Sequence, residues 1–198
     1  AVCRVPFDGR WRGCDVVCIA SGPSLTADDV ERVRHWREAA PRRRVIVVNT
    51  TFRAALWADL LVAMDVDWWR VHLAEVRERF TGRLVTTSVR AVELGLERVK
   101  PARGRFEPHG NSGAAAVSLA HLMGAARVVL LGYDCQRTDG RAHWHPDHPR
   151  GLGNAGSLDK WPRQFAALAA AIRGLEVINS TRQTALRQWR RVPLEVAL

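Results

Sequence analysis

The chain has 198 residues, of which 47% are apolar and 25% charged, and its 30 basic residues against 20 acidic ones give a formal net charge of +10. This composition argues against a disordered chain, and no apolar run approaches the roughly 20 residues that a membrane-spanning helix needs. The excess of basic side chains favours a polyanionic partner, such as nucleic acid or nucleotide phosphate.

The first half of the chain alternates apolar runs with helical patterns. Short apolar runs predict buried strands at residues 15–20, 45–48 and 60–64, and the periodicity of the segments that follow predicts helices at 26–39 and 67–80. Thr26 is a favourable N-cap for the first helix, because acidic residues follow it in the first turn.

The second half continues this alternation. We predict a weak strand at 84–87, an Ala-rich helix at 112–123, a strand at 127–131, a helix at 158–173 and a short strand at 176–178. The polar stretch 135–157 is rich in His, Pro and Gly and exceeds an ordinary connection, which indicates a lid or binding loop. We therefore predict one α/β domain over residues 1–198, with a mostly parallel sheet, helices on both faces and a His-rich lid loop.

The cysteines and the first residues predict the compartment. Cys3, Cys14, Cys18 and Cys135 lack the spacing of zinc ligands, so we expect reduced thiols. Four charged side chains occur within the first twelve residues, so we expect no signal peptide. Together these features predict a cytoplasmic protein that does not enter a membrane.

Small polar or acidic residues stand at the ends of most predicted strands. In sheets of this kind, ligands bind beyond the carboxyl ends of the strands. The residues at these ends are Ser21, Asn49, Asp65, Asp134 and Asn179. Five such endings predict a sheet edge that is lined for a polar ligand.

The turn Ser21-Gly22-Pro23-Ser24 joins the first strand to the first helix. Gly22 would let the backbone approach a ligand closely, and both serines offer hydroxyl donors. The helix N-terminus behind the turn favours phosphate. The alternative is an ordinary turn in which Ser24 or Thr26 caps the helix.

Two further clusters have a structural and a functional interpretation. Asn111, Ser112 and Gly113 open the Ala-rich helix, where plain capping and ligand binding fit the residue types equally well. Asp65 and Asp67 form an Asp-x-Asp pair, a pattern that holds a divalent metal on the diphosphate in many sugar-nucleotide transferases. The alternative is that Asp67 caps the next helix.

The lid contains the densest cluster of chemically active residues. His143, His145, Asp147 and His148 match the dinuclear zinc pattern of metallo-β-lactamase-type hydrolases, but no His follows His148 to complete such a site. A single zinc ion and a solvated loop without chemistry remain alternatives. We favour a lid whose His takes a proton from a hydroxyl nucleophile or contacts phosphate. Trp144 is the candidate for stacking on a base or sugar.

Several of these segments, in this order, resemble two related groups of proteins: Ile19–Leu25, Asn49, Asn111–Gly113 and Leu131–Asp134. One group is the bacterial lipo-oligosaccharide sialyltransferase family, whose nucleotide domain is Rossmann-like. The other is the 6-hydroxymethylpterin diphosphokinase-like family. The chain is also similar to small phage and prophage proteins with an HWxxDHP loop and a closing segment like Asn179–Arg182. The resemblance covers about residues 16–198 and implies a Rossmann-like fold.

The resemblance implies nucleotide binding at Gly22, Pro23, Ser24, Asn49, Ser112 and Gly113. In the sialyltransferases this pocket holds a cytidine monophosphate sugar without metal, a lid His acts as base, and lid tyrosines support the leaving phosphate. No Tyr follows Tyr133 here, so this last role would fall to His or Arg. In the kinase-like group the pocket would hold ATP with magnesium, which Asp65 could serve.

The leading hypothesis is a transferase that uses a nucleotide sugar as donor. It places the donor phosphate at Ser21–Ser24, and the base and ribose against Asn49 and Asn111–Gly113. The likeness to phage proteins and the charge of +10 suggest a DNA acceptor, for instance a hydroxylated base. Whether a divalent metal takes part stays open at this point.

In this hypothesis His145 is the general base, and His143 and His148 are the lesser candidates. Asp134 would position the acceptor or one of the histidines. The first alternative is a diphosphokinase-type phosphotransferase that uses ATP with magnesium. The second is a nucleotide- or nucleic-acid-binding module without catalysis.

Overall fold

The computed structural model describes residues 7–149, 152–153, 156–172 and 174–198. Within these ranges eight strands form one sheet: β1 (Asp15–Ile19), β2 (Arg43–Val48), β3 (Leu60–Val62), β4 (Arg83–Thr86), β5 (Glu97–Arg98), β6 (Arg127–Leu131), β7 (Glu176–Asn179) and β8 (Arg190–Arg191). Their order is β5-β4-β3-β2-β1-β6-β7-β8, and every neighbouring pair is parallel. The predicted α/β fold is therefore confirmed.

The helices are α1 (Ala27–Glu38), α2 (Val66–Arg79), α3 (Ser112–Leu122), α4 (Trp161–Ala171) and α5 (Leu194–Ala197). Helix α4 begins later than predicted, because residues 158–160 form a turn and Pro162 occupies the first helical turn, where no N–H is needed. Its predicted end at Arg173 lies outside the described residues. The short elements β5, β8 and α5 escaped prediction, since elements of two to four residues show no periodicity.

The sheet has a hydrophobic core on each face, as the alternation of side chains along a strand requires. In β1, Val16 and Cys18 pack with α3 and α4, whereas Val17 and Ile19 pack with α1 and α2. All four side chains are fully buried. Helices thus cover both faces of the sheet, as predicted. Cys14, Cys18 and Cys135 are free thiols, and Cys3 lies outside the described residues.

The strand order reverses beside β1, and this position determines where a ligand can enter. The chain runs outward from β1 to β5 and then returns to form β6 on the other side of β1. The helices that leave β1 and β6 therefore diverge, and a crevice opens at the carboxyl ends of these two strands. In the described part of the chain, no helix is long and apolar enough to span a membrane.

Candidate functional site

A cavity of about 170 Å³ opens at this crevice, beyond the carboxyl ends of β1, β2 and β6. Its wall combines these strand ends with the first turn of α3, the lid and the start of α4. The predicted site residues that line it are Ser21, Gly22, Asn49, Asn111, Ser112, Gly113, Asp134, His143 and His148. Sequence analysis did not select Tyr133, Cys135, Gln136, Trp161 and Phe165, which also line it.

Asp134 occupies the turn in which phosphate was expected. Its carboxylate accepts hydrogen bonds from the Ser24 N–H at 3.0 Å, the Ser24 hydroxyl at 2.8 Å and the Thr138 hydroxyl at 2.9 Å. The Gly22 N–H donates to the Gly132 carbonyl at 2.8 Å. These donors are thus used within the protein, and the described wall does not include Ser24 or Pro23. Asp134 therefore holds this loop together, and it also lines the cavity, so its role toward an acceptor stays a prediction.

The requirement for glycine at position 22 has a different cause from the predicted one. A Cβ atom on Gly22 would lie 2.1 Å from Asp134 Oδ1 and 2.4 Å from the Gly132 carbonyl oxygen, which is far inside contact distance. The backbone at Gly22 therefore approaches the residues that follow β6, whereas the sequence analysis expected it to approach a ligand. Burial raises the pKa of Asp134, and its hydrogen bonds with Ser24 and Thr138 oppose this shift.

The first turn of α3 presents backbone donors to the cavity. Asn111 caps the helix by accepting the Ala114 N–H at 2.7 Å. The Ser112 hydroxyl accepts the Met64 N–H at 3.1 Å. Within the described residues, the N–H groups of Ser112 and Gly113 have no acceptor. The capping interpretation is therefore confirmed, and ligand binding stays a prediction, for which these N–H groups at a positive helix end suit one phosphate.

Asn49 is the second feature of the wall that suits a ligand. It follows β2 with a φ of 50°, in the left-handed region that non-glycine residues rarely adopt. Its side chain makes no hydrogen bond to any described residue, although it lines the cavity. A strained backbone that presents an unpartnered amide is typical of a binding position.

Replacing Asn49 with Gly is expected to weaken binding of a nucleotide ligand about tenfold, because one amide hydrogen bond is lost. The stability should stay within about 1 kcal/mol of the wild type, since Gly adopts this φ without strain. The Asn49→Ala variant should lose the same affinity and also about 1 kcal/mol of stability. Calorimetric titration and chemical unfolding of both variants test this, and unchanged affinity in both would remove Asn49 from the site.

The Asp-x-Asp pair does not contribute to the cavity. Asp65 is exposed and caps α2 by accepting the Asp67 N–H at 2.8 Å, and Asp67 pairs with Arg70 at 2.8 Å. The capping alternative is thus correct, with Asp65 rather than Asp67 as the cap. Across the described ranges, no three His, Cys, Asp or Glu side chains are arranged to hold a metal ion.

Four histidines cluster where the lid meets the body. The rings of His143 and His145 stack with centroids 4.9 Å apart, and His148 lies 4.9 Å from His145 and 5.4 Å from His143. His72 of α2 adds a fourth ring 6.1 Å from His148. Sequence analysis missed His72, because a lone His on a helix gives no signal of its neighbours across the fold.

Trp144 attaches the lid to the body instead of lining the cavity. Its N–H donates to the Ser21 carbonyl at 3.1 Å, and its indole Nε1 donates to the Thr51 hydroxyl at 3.4 Å. Trp161, at the start of α4, lines the cavity in its place. The aromatic residues that line the cavity are therefore Trp161 and Phe165 of α4 and Tyr133 after β6.

The lid histidines differ in their access to the cavity. His145 is buried and does not line the wall; its Nδ1–H donates to the Pro146 carbonyl at 2.6 Å. Burial lowers the pKa of His145 to about 4. Burial also lowers the pKa of His143 and His148, and both line the cavity. The Nε2 atoms of His143 and His145 are both buried and have no hydrogen-bond partner among the described residues, so access to the cavity, not pairing, distinguishes His143 from His145.

Acidification is expected to weaken the packing of the lid against the body of the protein. The pKa of His145 is lowered from 6.5 to about 4, with burial as the largest cause and His143, His148 and Arg53 as charged neighbours. Because its pKa is lowered, His145 is favoured in its neutral form in the folded state. The protein therefore keeps its full stability with respect to this group above pH 6.5 and loses stability progressively as the pH falls toward 4. Protonation of His145 alone should lower the free energy of unfolding by about 3 kcal/mol near pH 4.

Hydrogen exchange of the lid amides between pH 7 and 4, corrected for intrinsic rates, would measure this loss. The His145→Phe variant keeps a ring without a titrating group, so its lid should respond less to acid. If the lids of the variant and the wild type respond equally to acid, His145 is not the group whose protonation destabilises the lid.

Comparison with known proteins supports the fold. No family model matches the chain, and none of the curated proteins matches it. Among solved structures, the chain is similar to the MAf glycosyltransferase from Magnetospirillum magneticum AMB-1, with 17% identity and a TM-score of 0.61. The match covers 93% of this chain and 34% of that one, so the chain spans about a third of the length of the similar protein.

Proposed function

We propose that this protein is a transferase of the glycosyltransferase type, which takes a sugar from a nucleotide donor bound in the cavity. The observation that carries the proposal is the cavity at the crevice between β1 and β6. The cavity is lined there by the N–H groups of Ser112 and Gly113 and the Asn49 amide, which have no partner among the described residues, and by the His143 imidazole. The similarity of the fold to a glycosyltransferase supports the same conclusion.

The charge of the wall favours a donor with few phosphates. Among the described lining residues there is no Lys or Arg, and Asp134 contributes a carboxylate. A triphosphate would meet this carboxylate without a compensating cation from the protein. A nucleoside monophosphate sugar carries less charge, and the N-terminus of α3 can stabilise its single phosphate.

In the proposed reaction His143 is the general base, and His148 is the second candidate. The acceptor hydroxyl oxygen bonds to the anomeric carbon of the sugar while the bond from that carbon to the phosphate oxygen breaks. The nucleotide leaves with the electron pair, and the hydroxyl proton goes to His143 Nε2. His145, the base expected from the sequence, stacks behind His143 and acts through it as a positioning residue.

The acceptor in this proposal is a hydroxylated base in DNA, and the net charge of +10 supports it. Binding of an oligonucleotide should weaken steeply with salt, because phosphate contacts release counterions. Transfer should occur to oligonucleotides with hydroxymethylated bases and not to the same sequence with unmodified bases. DNA affinity that does not depend on salt would remove the DNA acceptor and leave the donor proposal intact.

A thermal-shift panel of nucleotides and nucleotide sugars, with and without magnesium or manganese, tests the donor. A ligand at 100 times its Kd adds about 2.7 kcal/mol of stability, which is visible as a melting shift. We expect a shift with a pyrimidine nucleoside monophosphate or its sugar that does not depend on metal. A shift that requires both ATP and magnesium would support the phosphotransferase. Binding without turnover, unaffected by His143→Gln, would support a binding module.

A further inference from the structure

A second groove, of about 390 Å³, lies beyond the carboxyl ends of β7 and β8. It shares no lining residue with the cavity described above. Its wall is formed by the first turn of α1, the segment after β7 and the segment from β8 into α5. The lining residues are Asp29, Asn179, Ser180, Thr181, Arg182, Arg191, Val192, Pro193, Leu194 and Glu195.

Ser180 leaves a buried hydroxyl without a partner in this groove. The residue is 6% exposed, and its Oγ atom makes no hydrogen bond within the described part of the protein. Its backbone N–H donates to the Leu130 carbonyl at 2.9 Å, so the main chain is satisfied and the side chain alone is not. A buried hydroxyl in this state destabilises the fold, and a ligand oxygen in the groove would remove that cost.

Arg182 and Asp29 neutralise each other at one side of the groove. Asp29 is 2% exposed and accepts both Arg182 Nε and Arg182 Nη2 at 2.8 Å, as well as the Thr26 N–H at 3.2 Å. This pairing lowers the pKa of Asp29 against the opposing effect of burial. The Asp29 carboxylate is therefore occupied and does not repel an anion strongly.

Arg191 is exposed, and two main-chain carbonyls orient its guanidinium. Its Nη2 donates to the Thr181 carbonyl at 3.1 Å and to the Arg182 carbonyl at 2.8 Å. Among the residues that the structure describes, no carboxylate forms an ion pair with it; Glu195, the other acid of the wall, is exposed. The remaining donors of a held, planar guanidinium suit the oxygens of a phosphate group.

We propose that this groove binds a phosphate group, with Arg191 and the Ser180 hydroxyl as its ligands. Among the described residues, Arg191 has no ion-pair partner and the Ser180 hydroxyl has no hydrogen-bond partner, and the oxygens of one phosphate group would serve both. The phosphate can belong to a small phosphate ester or to a phosphodiester of nucleic acid. This proposal does not depend on the proposed transfer reaction, because the groove lies outside the cavity.

The test is a titration with inorganic phosphate at constant ionic strength, followed by ¹H–¹⁵N NMR of the full chain. Saturable shifts are expected at the backbone amides of Ser180 and Thr181 and at the Arg191 side chain. The variants Ser180→Ala and Arg191→Gln should each weaken binding about tenfold or more, since each removes a hydrogen bond to a charged ligand. Arg190→Gln is the matched control, because Arg190 neighbours Arg191 and does not line the groove.

The variants separate binding from folding. Ser180→Ala removes no side-chain hydrogen bond to any described residue, so its melting temperature should equal or exceed that of the wild type. Equal weakening by Arg190→Gln and Arg191→Gln would show diffuse surface charge and overturn the proposal, as would unsaturable shifts. Shifts at Ser112 and Gly113 in place of Ser180 would assign phosphate to the cavity instead and also overturn it.

Two further titrations identify the source of the phosphate. A nucleoside 5′-monophosphate and a short single-stranded oligonucleotide without a terminal phosphate are added to the wild type and to Ser180→Ala. Loss of the monophosphate shifts at residues 180 and 181 in Ser180→Ala supports a small phosphate ester, and loss of the oligonucleotide shifts at these residues supports a phosphodiester. If the shifts of neither ligand at residues 180 and 181 depend on Ser180, the groove binds neither source, and the proposal is overturned.

Discussion

Replacing His143 with Gln is expected to lower kcat/KM by about 10²- to 10⁴-fold, the usual contribution of a positioned general base. Gln keeps a polar side chain of similar length but cannot accept the proton of the acceptor hydroxyl. The donor Kd should change little, because the donor contacts assigned above lie on Asn49 and the first turn of α3. Steady-state kinetics and calorimetric donor binding, with the donor that the panel identifies, measure the two effects separately.

The neighbouring histidines serve as controls for this prediction. His145→Gln should reduce the rate less, because His145 is enclosed and acts through His143. If His148→Gln causes the larger loss and His143→Gln retains more than a tenth of the rate, the base is His148. In the wild type, the acid limb of kcat/KM should lie below pH 6.5, because burial lowers the pKa of His143 and the neutral form is the active base.

Replacing Asp134 with Ala should lower the free energy of unfolding by about 3–5 kcal/mol, because three donors lose their acceptor in a buried position. The donors are the Ser24 N–H and the hydroxyls of Ser24 and Thr138. Asp134→Asn should cost less, about 1–2 kcal/mol, since the amide oxygen still accepts and the hydroxyls can rotate. Urea unfolding followed by tryptophan fluorescence measures both variants.

Asp159→Ala is the matched control for Asp134→Ala. Asp159 is exposed at the end of the lid region, so its replacement should change the stability by less than about 0.5 kcal/mol. If Asp134→Ala is as stable as Asp159→Ala, the Asp134 carboxylate does not hold the turn. The phosphate position first expected at Ser21–Ser24 would then be open to a ligand.

The fold could be predicted from the sequence because the main strands are apolar runs that are followed by residues typical of turns. The run Arg127–Leu131 and the alternation around it were sufficient to predict a parallel sheet. The strand ends Ser21, Asn49 and Asp134 do meet at one cavity, as the parallel order requires. Two-residue strands such as β5 and β8 could not be predicted, since their pairing depends on neighbours far along the chain.

The site was less predictable, because its decisive contacts are long-range. Ser24 and Asp134 are 110 residues apart in the sequence. No spacing in the sequence indicates that the Asp134 carboxylate occupies the turn that contains Ser24. Whether His143 or His145 lines the cavity depends on the conformation of the lid. In its described residues the lid has no regular secondary structure, so hydrophobic periodicity could not predict this conformation. His72 joins the cluster only through the packing of α2 against the lid.

The most direct test of the donor site is a ¹H–¹⁵N NMR titration with the pyrimidine nucleoside monophosphate that gives the largest melting shift. We predict saturable shifts at the backbone amides of Asn49, Ser112 and Gly113, without added metal. The shifts should weaken in Asn49→Gly and persist in Ser180→Ala, because only the first variant alters the cavity. Saturable binding that leaves these three amides unchanged would contradict the proposal that the cavity holds the donor.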